Sequence, residues 1–417
     1  MRDQRERFEL SGDRYAEILA PDVHAQYIKD FPGTEGSRLF RINPCGTIVY
    51  EGLKCIDKEV YDFKFRSDDV LVMSYPKCGS TWTQEIIWTM MYNPNLDHPD
   101  PNEPLLSRSP VIESDMSIIL ELKEKGVDHF VDGPMFSHFR RRCPKLDSNR
   151  GIHLQMADSY EDRRILKTHL PFSCYRKGLI EKCKVILCVR HPKDVVLSYQ
   201  HHCKLLANHK FNGTQDTFIN YFVKGLLIWG SQANLLKEAF EYKDHHNLHI
   251  MFYEDMKKDI DGELHKLNKF LELNLDSQQL KNVQKQTAFK KMQEADPYKM
   301  MSCKIADQEV AERDGPFIRQ GEAGAWKGKL TPEQEKILDD YIVKNFTHPD
   351  LVARYFPKME VSPVKKEASP KKQEASPKKQ EASPKKQEAS PTKQEASPTK
   401  QEASPTKKEP SPKKKDG

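Results

Sequence analysis

The 417-residue chain has no run of about 18 apolar residues, so no stretch of it reads as a bilayer-spanning helix. Its first ten residues are charged, not a basic stretch followed by an apolar core. It also lacks any CxxC pair. Nine cysteines, an odd number, stand at 45, 55, 78, 143, 174, 183, 188, 203 and 303. Without paired spacing they read as reduced thiols, and a cytoplasmic location is expected. Over most of its length the chain also lacks net positive charge. The 57 residues from Val361 carry 15 Lys against 7 Glu and 1 Asp, which is +7 against +5 for the whole and leaves −2 for the rest. A basic enzyme body gripping nucleic acid is therefore not expected, and any such binding falls to the tail.

The nucleotide triphosphatase pattern G-x-x-x-x-G-K-[ST] is missing as well. What stands in the chain instead is Tyr75-Pro76-Lys77-Cys78-Gly79-Ser80-Thr81-Trp82. An apolar run of strand length, Asp69 to Ser74, precedes it, and the helix-forming stretch Thr83 to Met91 follows, stopping near Asn93-Pro94. A run apolar at every position suits a strand buried on both faces of a parallel sheet. Gly79 lets the backbone approach a ligand, Ser80 and Thr81 offer hydroxyls, and the first N–H groups of the helix point unpaired at the same spot. A phosphate or sulfate belongs there.

The same grammar recurs downstream. Arg164-Ile165-Leu166-Lys167 opens into Thr168-His169-Leu170-Pro171. Lys184 to Val189 ends at Arg190-His191-Pro192, before a helix from Lys193 to about Lys204, and Leu248 to Tyr253 is a fourth strand. Strands alternating with helices predict an α/β fold: a central parallel sheet with helices on both faces and a P-loop-like turn for phosphate or sulfate. Ligands gather at the strand ends of such sheets, which raises Lys167, His169 and Arg190 above the usual standing of a lone His or Arg. Arg190 and Ser198, eight residues apart, can clamp one anion; the plainer alternative is a salt bridge from Arg190 to Asp194.

Residues 1–40 are expected to form an irregular approach segment, and Gly46 to Tyr50 part of a short strand pair. Phe218 to Tyr242 reads as a long amphipathic stretch whose Phe222, Leu226, Trp229, Ala233 and Leu236 belong to the core. Ser277 to Met292 reads as a helix carrying Thr287 and Phe289, and 295–315 as a flexible segment. Phe317 to Lys327 is a loop whose Arg319, Gln320 and Gly321 suit closure over phosphate, and Thr331-Pro332 starts a further helix. Residues 41–358 are thus expected to form the principal domain. In the tail, 359–417, Ser-Pro recurs every seven residues from Ser362 to Ser411. With no apolar a and d positions and a Pro in each unit, this is no coiled coil, and disorder is expected.

In order along the chain, YPKCGSTW, KTHLP, RHPKDVVLSY, FYEDM, TAFKKM and FIRQGEAGAWK resemble the motifs of the cytosolic sulfotransferase family, over roughly Asp69 to Lys327. The long insertion before KTHLP resembles its arthropod members, a retinol dehydratase among them. The resemblance implies 3'-phosphoadenosine 5'-phosphosulfate as co-substrate, no metal, and a small hydroxyl-bearing acceptor. It implies that Lys77, Cys78, Gly79, Ser80, Thr81 and Trp82 cradle the phosphosulfate. Arg190 and Ser198 would hold the 3'-phosphate, with Arg319 and Gly321 closing on it. Gln320 stands where many members have Lys, so one cation is missing and weaker donor binding is expected. Trp82 and Phe289 would sandwich the adenine, with Tyr253 and Thr287 at its polar edge. His169 would be the base, Lys77 would stabilise the departing oxygen, and Lys167 would neutralise the transferring group.

The acceptor stays open among phenols, steroids, retinoids and other alcohols, with elimination following sulfonation if the dehydratase likeness holds. Two other readings remain. A kinase is opposed by the Lys-before-Gly order of the loop. An interaction protein would work through its tail, whose Ser-Pro-Lys-Lys units at Ser369, Ser376, Ser383 and Ser411 suit proline-directed kinases or an anionic surface.

Overall fold

The computed structural model describes residues 6–125, 134–298 and 305–355. The Ser-Pro repeats, and the expectation of disorder attached to them, lie outside the described residues. Near the start, β1 (Arg7–Glu9), β2 (Tyr15–Ile18), β3 (Leu39–Asn43) and β4 (Thr47–Tyr50) form an antiparallel sheet in that order. The expected strand pair is the β3–β4 hairpin. The irregular approach expected for 1–40 is corrected: β1, β2 and the Pro21–Asp30 helix lie within it. Strands of three and four residues are too short to show a period of two, and pairing onto β3 holds them in place. Tyr27 and Phe31, stacked at 4.3 Å, pack against Phe211, Phe218 and Tyr221 and tie this region to the body.

The second sheet positions the site. β5 (Val70–Ser74), β6 (Ile165–Thr168), β7 (Lys184–Val189) and β8 (Leu248–Phe252) are parallel, in the order β6-β5-β7-β8. Every residue of β5 and β6 is buried; β5 accordingly runs apolar without alternation from Val70 to Met73, whereas β6 buries Lys167 and Thr168 at its end. Met73 pairs with Thr168 of β6, and Ser74 with Cys188 of β7. The three strand ends are therefore level, and Tyr75, His169 and Arg190 leave the sheet at one edge, where ligands of parallel sheets collect.

The helices that follow β5 and β7, Ser80–Tyr92 and Pro192–Leu205, lie where the sequence places them. Pro332–Asn345 begins at Thr331, whose hydroxyl and Gln334 form a capping box. Two expected helices are divided. The 218–242 stretch is two helices, Gln215–Val223 and Gln232–Phe240, separated by Gly225, Trp229 and Gly230 with left-handed φ of 62°, 72° and 70°. Trp229 is held there by its N–H, which donates to the Ile48 carbonyl at 2.8 Å. The 277–292 stretch likewise breaks after Gln286 and resumes at Phe289. Within the segment expected to be flexible, Gln308–Asp314 is a helix capped by Asp307. No helix among the described residues is long and apolar enough to cross a membrane.

Candidate functional site

The turn between β5 and the Ser80–Tyr92 helix is made by left-handed φ at Lys77 (66°) and Gly79 (101°). A Cβ on Gly79 would sit 2.9 Å from Tyr253 Cδ2, so the ring's approach requires glycine. No side chain caps the helix, and its first turn faces a cavity of about 210 Å³. Of the site residues expected from the sequence, the structure brings all but Cys78 to the wall of this one cavity: Lys77, Gly79, Ser80, Thr81, Trp82, Lys167, His169, Arg190, Ser198, Tyr253, Thr287, Phe289, Arg319, Gln320 and Gly321. The Cys78 side chain is turned inward near the Gln232 amide, and burial pushes its thiol well up, which leaves a protonated, weakly nucleophilic sulfur.

Of the six basic side chains that line the cavity, four are those expected from the sequence: Lys77, Lys167, Arg190 and Arg319. Arg190 donates from Nη1 to the Lys77 carbonyl at 3.2 Å and from Nη2 to the Glu322 carbonyl at 2.8 Å. Its guanidinium lies 4.3 Å from the Tyr253 ring centre, and its buried Nε has no partner. The salt bridge to Asp194 does not form. That carboxylate instead accepts the N–H groups of Gly324 (2.7 Å) and Trp326 (3.0 Å), fastening the late loop to the Pro192–Leu205 helix. Lys77 Nζ rests 3.8 Å from the Phe317 ring centre, and Lys167 Nζ donates to the Tyr298 hydroxyl at 3.4 Å. Among the described residues, none of Lys77, Lys167, Arg190 and Arg319 is paired with a carboxylate. Burial, then the charges of Arg190, Lys167 and Arg319, push the Lys77 ammonium down to about 7. A cavity so charged favours an anion.

His169 is fixed from both sides. Its Nδ1 lies 2.6 Å from the Ser74 carbonyl oxygen, which can only accept, so Nδ1 carries the proton and Nε2 is left bare. Its backbone N–H donates to Glu113 Oε1 at 2.6 Å, and Trp229 packs on the ring at 5.2 Å between centroids. Burial, then Lys167 and Lys77, hold the imidazole well below its usual 6.5 and therefore neutral. Such a nitrogen suits accepting a proton from a bound hydroxyl.

At the far end, Trp82 Nε1 donates to the Thr287 carbonyl at 2.9 Å. The Thr287 hydroxyl donates to Val283 O at 2.8 Å and so has only lone pairs to offer a ligand. Gly321, at φ 63°, lies so close under the Phe289 ring that any Cβ would clash. Gln320 Oε1 accepts from Lys329 Nζ at 3.0 Å, and both residues line the cavity. A cation thus stands beside position 320 after all, reached from nine residues further on.

Sequence reasoning missed Trp229, His202 and Lys329 as cavity residues. For Trp229 a signal existed: glycines at 225 and 230 bracket it and interrupt a helical pattern. The others carry no local mark.

A family model described as a sulfotransferase domain matches residues 67–350. Sulfotransferase 1A1 of Rattus norvegicus is 30% identical over 290 residues, 69% of this chain and 87% of that protein. Luciferin sulfotransferase of Photinus pyralis is 26% identical over 307 residues, 71% of this chain and 76% of that one. Among solved structures, a retinol dehydratase in a complex with retinol and PAP is 25% identical, with a TM-score of 0.67, covering 80% of this chain and 97% of that chain.

Proposed function

The chain belongs to the sulfotransferase family, and from that premise we propose that it moves a sulfuryl group from 3'-phosphoadenosine 5'-phosphosulfate to a hydroxyl of a small, largely apolar acceptor. The observation that carries this reading is the set of four cations without carboxylate partners, facing the same cavity as a neutral His169. The residues fit such a donor. The uncapped first turn at Ser80 and Thr81, with Lys77, would hold the phosphosulfate. Arg190, with its unpartnered Nε, Ser198, Arg319 and Gly321 would hold the 3'-phosphate. Trp82 and Phe289 would offer aromatic faces to the adenine, and Tyr253 and Thr287 its polar edge.

His169 Nε2 takes the proton of the acceptor hydroxyl as the oxygen attacks sulfur in line. Lys77 stabilises the charge arriving on the phosphate oxygen as the S–O bond breaks, and Lys167 offsets the charge on the transferring group. Phenols, steroids and other alcohols suit the site, and a cytoplasmic setting suits this chemistry. The likeness to a retinol dehydratase favours a second reading, in which an allylic sulfate ester goes on to eliminate. A screen of hydroxyl acceptors with labelled donor, scored for sulfate ester and for dehydrated product, separates the two. Transfer from ATP with magnesium, and none from the phosphosulfate, would overturn both.

The Ser-Pro-Lys-Lys tail belongs to this proposal only as a site for proline-directed kinases or an anionic-surface contact. Salt-sensitive binding to anionic vesicles or DNA by the full chain, lost in a chain ending at 358, is the outcome that supports it.

A further inference from the structure

Besides His169, two imidazoles that the proposed reaction does not use line the cavity: His201, whose Nε2 lies 3.2 Å from the Pro316 carbonyl oxygen, and His202. His202 stands near the end of the Pro192–Leu205 helix, its ring between Phe317 (5.6 Å), Tyr199 (5.8 Å) and His209 (6.0 Å), and it lines the same cavity as His169 and Trp229. Phe317 packs in turn on the small apolar cluster of Leu105, Leu205, Leu206, Tyr298 and Ala306. His202 thus stands beside the ring that Lys77 Nζ approaches at 3.8 Å, close to the groups assigned to the transfer, where the reacting end of an acceptor would lie.

Burial, then Lys77, His209, Lys167 and His169, hold its imidazole neutral, well below the usual 6.5. His202 is thus within electrostatic reach of the groups assigned to the chemistry. Its Nδ1 is buried with no hydrogen-bond partner. A buried N–H without a partner is a rarer arrangement than an under-used acceptor, so the proton belongs on Nε2, the nitrogen left to meet a ligand. A residue kept only for packing among Phe317, Tyr199 and the apolar cluster would be served better by Phe or Leu, with no ring nitrogen to bury.

Resting on the sulfotransferase reading, we propose that His202 determines acceptor specificity by donating Nε2–H to a second oxygen that neighbours the attacking hydroxyl. The favoured acceptors are then catechols, vicinal diols and ortho-alkoxyphenols over simple phenols and alcohols. In that arrangement the attacking oxygen meets His169 and the neighbouring oxygen meets His202.

The test compares kcat/KM for catechol and for phenol in the full chain, in His202→Phe and in His202→Gln. The wild type prefers catechol. His202→Phe, which keeps the ring volume and loses the donor, reduces that preference about tenfold, chiefly through KM. His202→Gln, which keeps an N–H at similar reach, restores it. A wild type without the preference, or a preference unchanged in His202→Phe, overturns the proposal. Titration with PAP shows that each variant is folded and competent, and catechol and phenol binding to the PAP complex replaces turnover where neither is sulfonated. A chain that binds PAP yet does not distinguish the two acceptors overturns the role of His202 alone. A chain that does not bind PAP overturns the sulfotransferase reading beneath it.

Discussion

The two sides of the cavity are built by different means. On the side proposed for the donor, Lys77, Gly79, Arg190 and the start of the Ser80–Tyr92 helix sit within a few residues of level strand ends, so the sheet itself sets their spacing. On the side proposed for the acceptor, Trp229 and His202 come from a helix break and the end of a helix. What holds an anion is mostly backbone geometry and fixed charge, which short motifs can encode. What shapes an apolar pocket is the meeting of distant segments, which they cannot.

The sharpest way to break this division is at His169, which stands on the boundary. His169→Ala is expected to lower turnover by about 10² to 10⁴ while nucleotide binding stays nearly intact, as measured by single-turnover kinetics alongside PAP titration. Unchanged turnover removes His169 from the base role; lost PAP affinity would move it to the donor side. The next largest effect belongs to Arg190, whose loss removes a charge-assisted contact. Arg190→Ala is expected to weaken PAP by about 10- to 100-fold, read by calorimetry, with acceptor KM little changed. Superimposable titrations of mutant and wild type would defeat that assignment.

The division also explains what was legible. β5 and β7 could be read because burial on both faces writes an apolar run into the chain, and Arg190 because it stands just past such a run; β6, ending in Lys167 and Thr168, and the partly buried β8 carry weaker signals, read with His169 from the alternation of strands with helices. β1 and β2 could not be read, since three and four partly exposed residues carry no period and acquire their conformation from β3. The helix break at Trp229 was legible in principle through Gly225 and Gly230, but the apolar residues on either side continue the helical spacing and mask it. The actual partners of Asp194 could not be read, because they are backbone N–H groups 130 and 132 residues away, which no side-chain pattern announces.

A third test asks whether the donor side works through charge. In the free enzyme the Lys77 ammonium is held down to about 7, so its charged fraction falls as pH rises through that value. Only the charged form attracts the donor, so PAP affinity is expected to fall with rising pH, by up to about tenfold per unit above 7. Lys77→Arg, charged at every accessible pH, is expected to flatten this limb of the profile. A wild-type affinity constant between pH 6 and pH 9 would show that the ammonium is not poised there.

The smallest effect discriminates most finely, because it concerns a donor-side residue that no motif marks. Lys329 is exposed and its hydrogen bond to Gln320 is a surface contact, so its charge is screened. Lys329→Ala is expected to weaken PAP only about 2- to 5-fold. The same nucleotide without its 3'-phosphate should bind the variant and the wild type alike. An equal loss for both nucleotides would place Lys329 elsewhere than the 3'-phosphate. Gln320→Lys supplies the complementary arm. If Lys329 already provides the cation, this substitution gains little in the wild type and recovers the loss in Lys329→Ala. If Gln320→Lys strengthens PAP equally in both backgrounds, the two positions act independently, and the cation missing at 320 is not made good from 329.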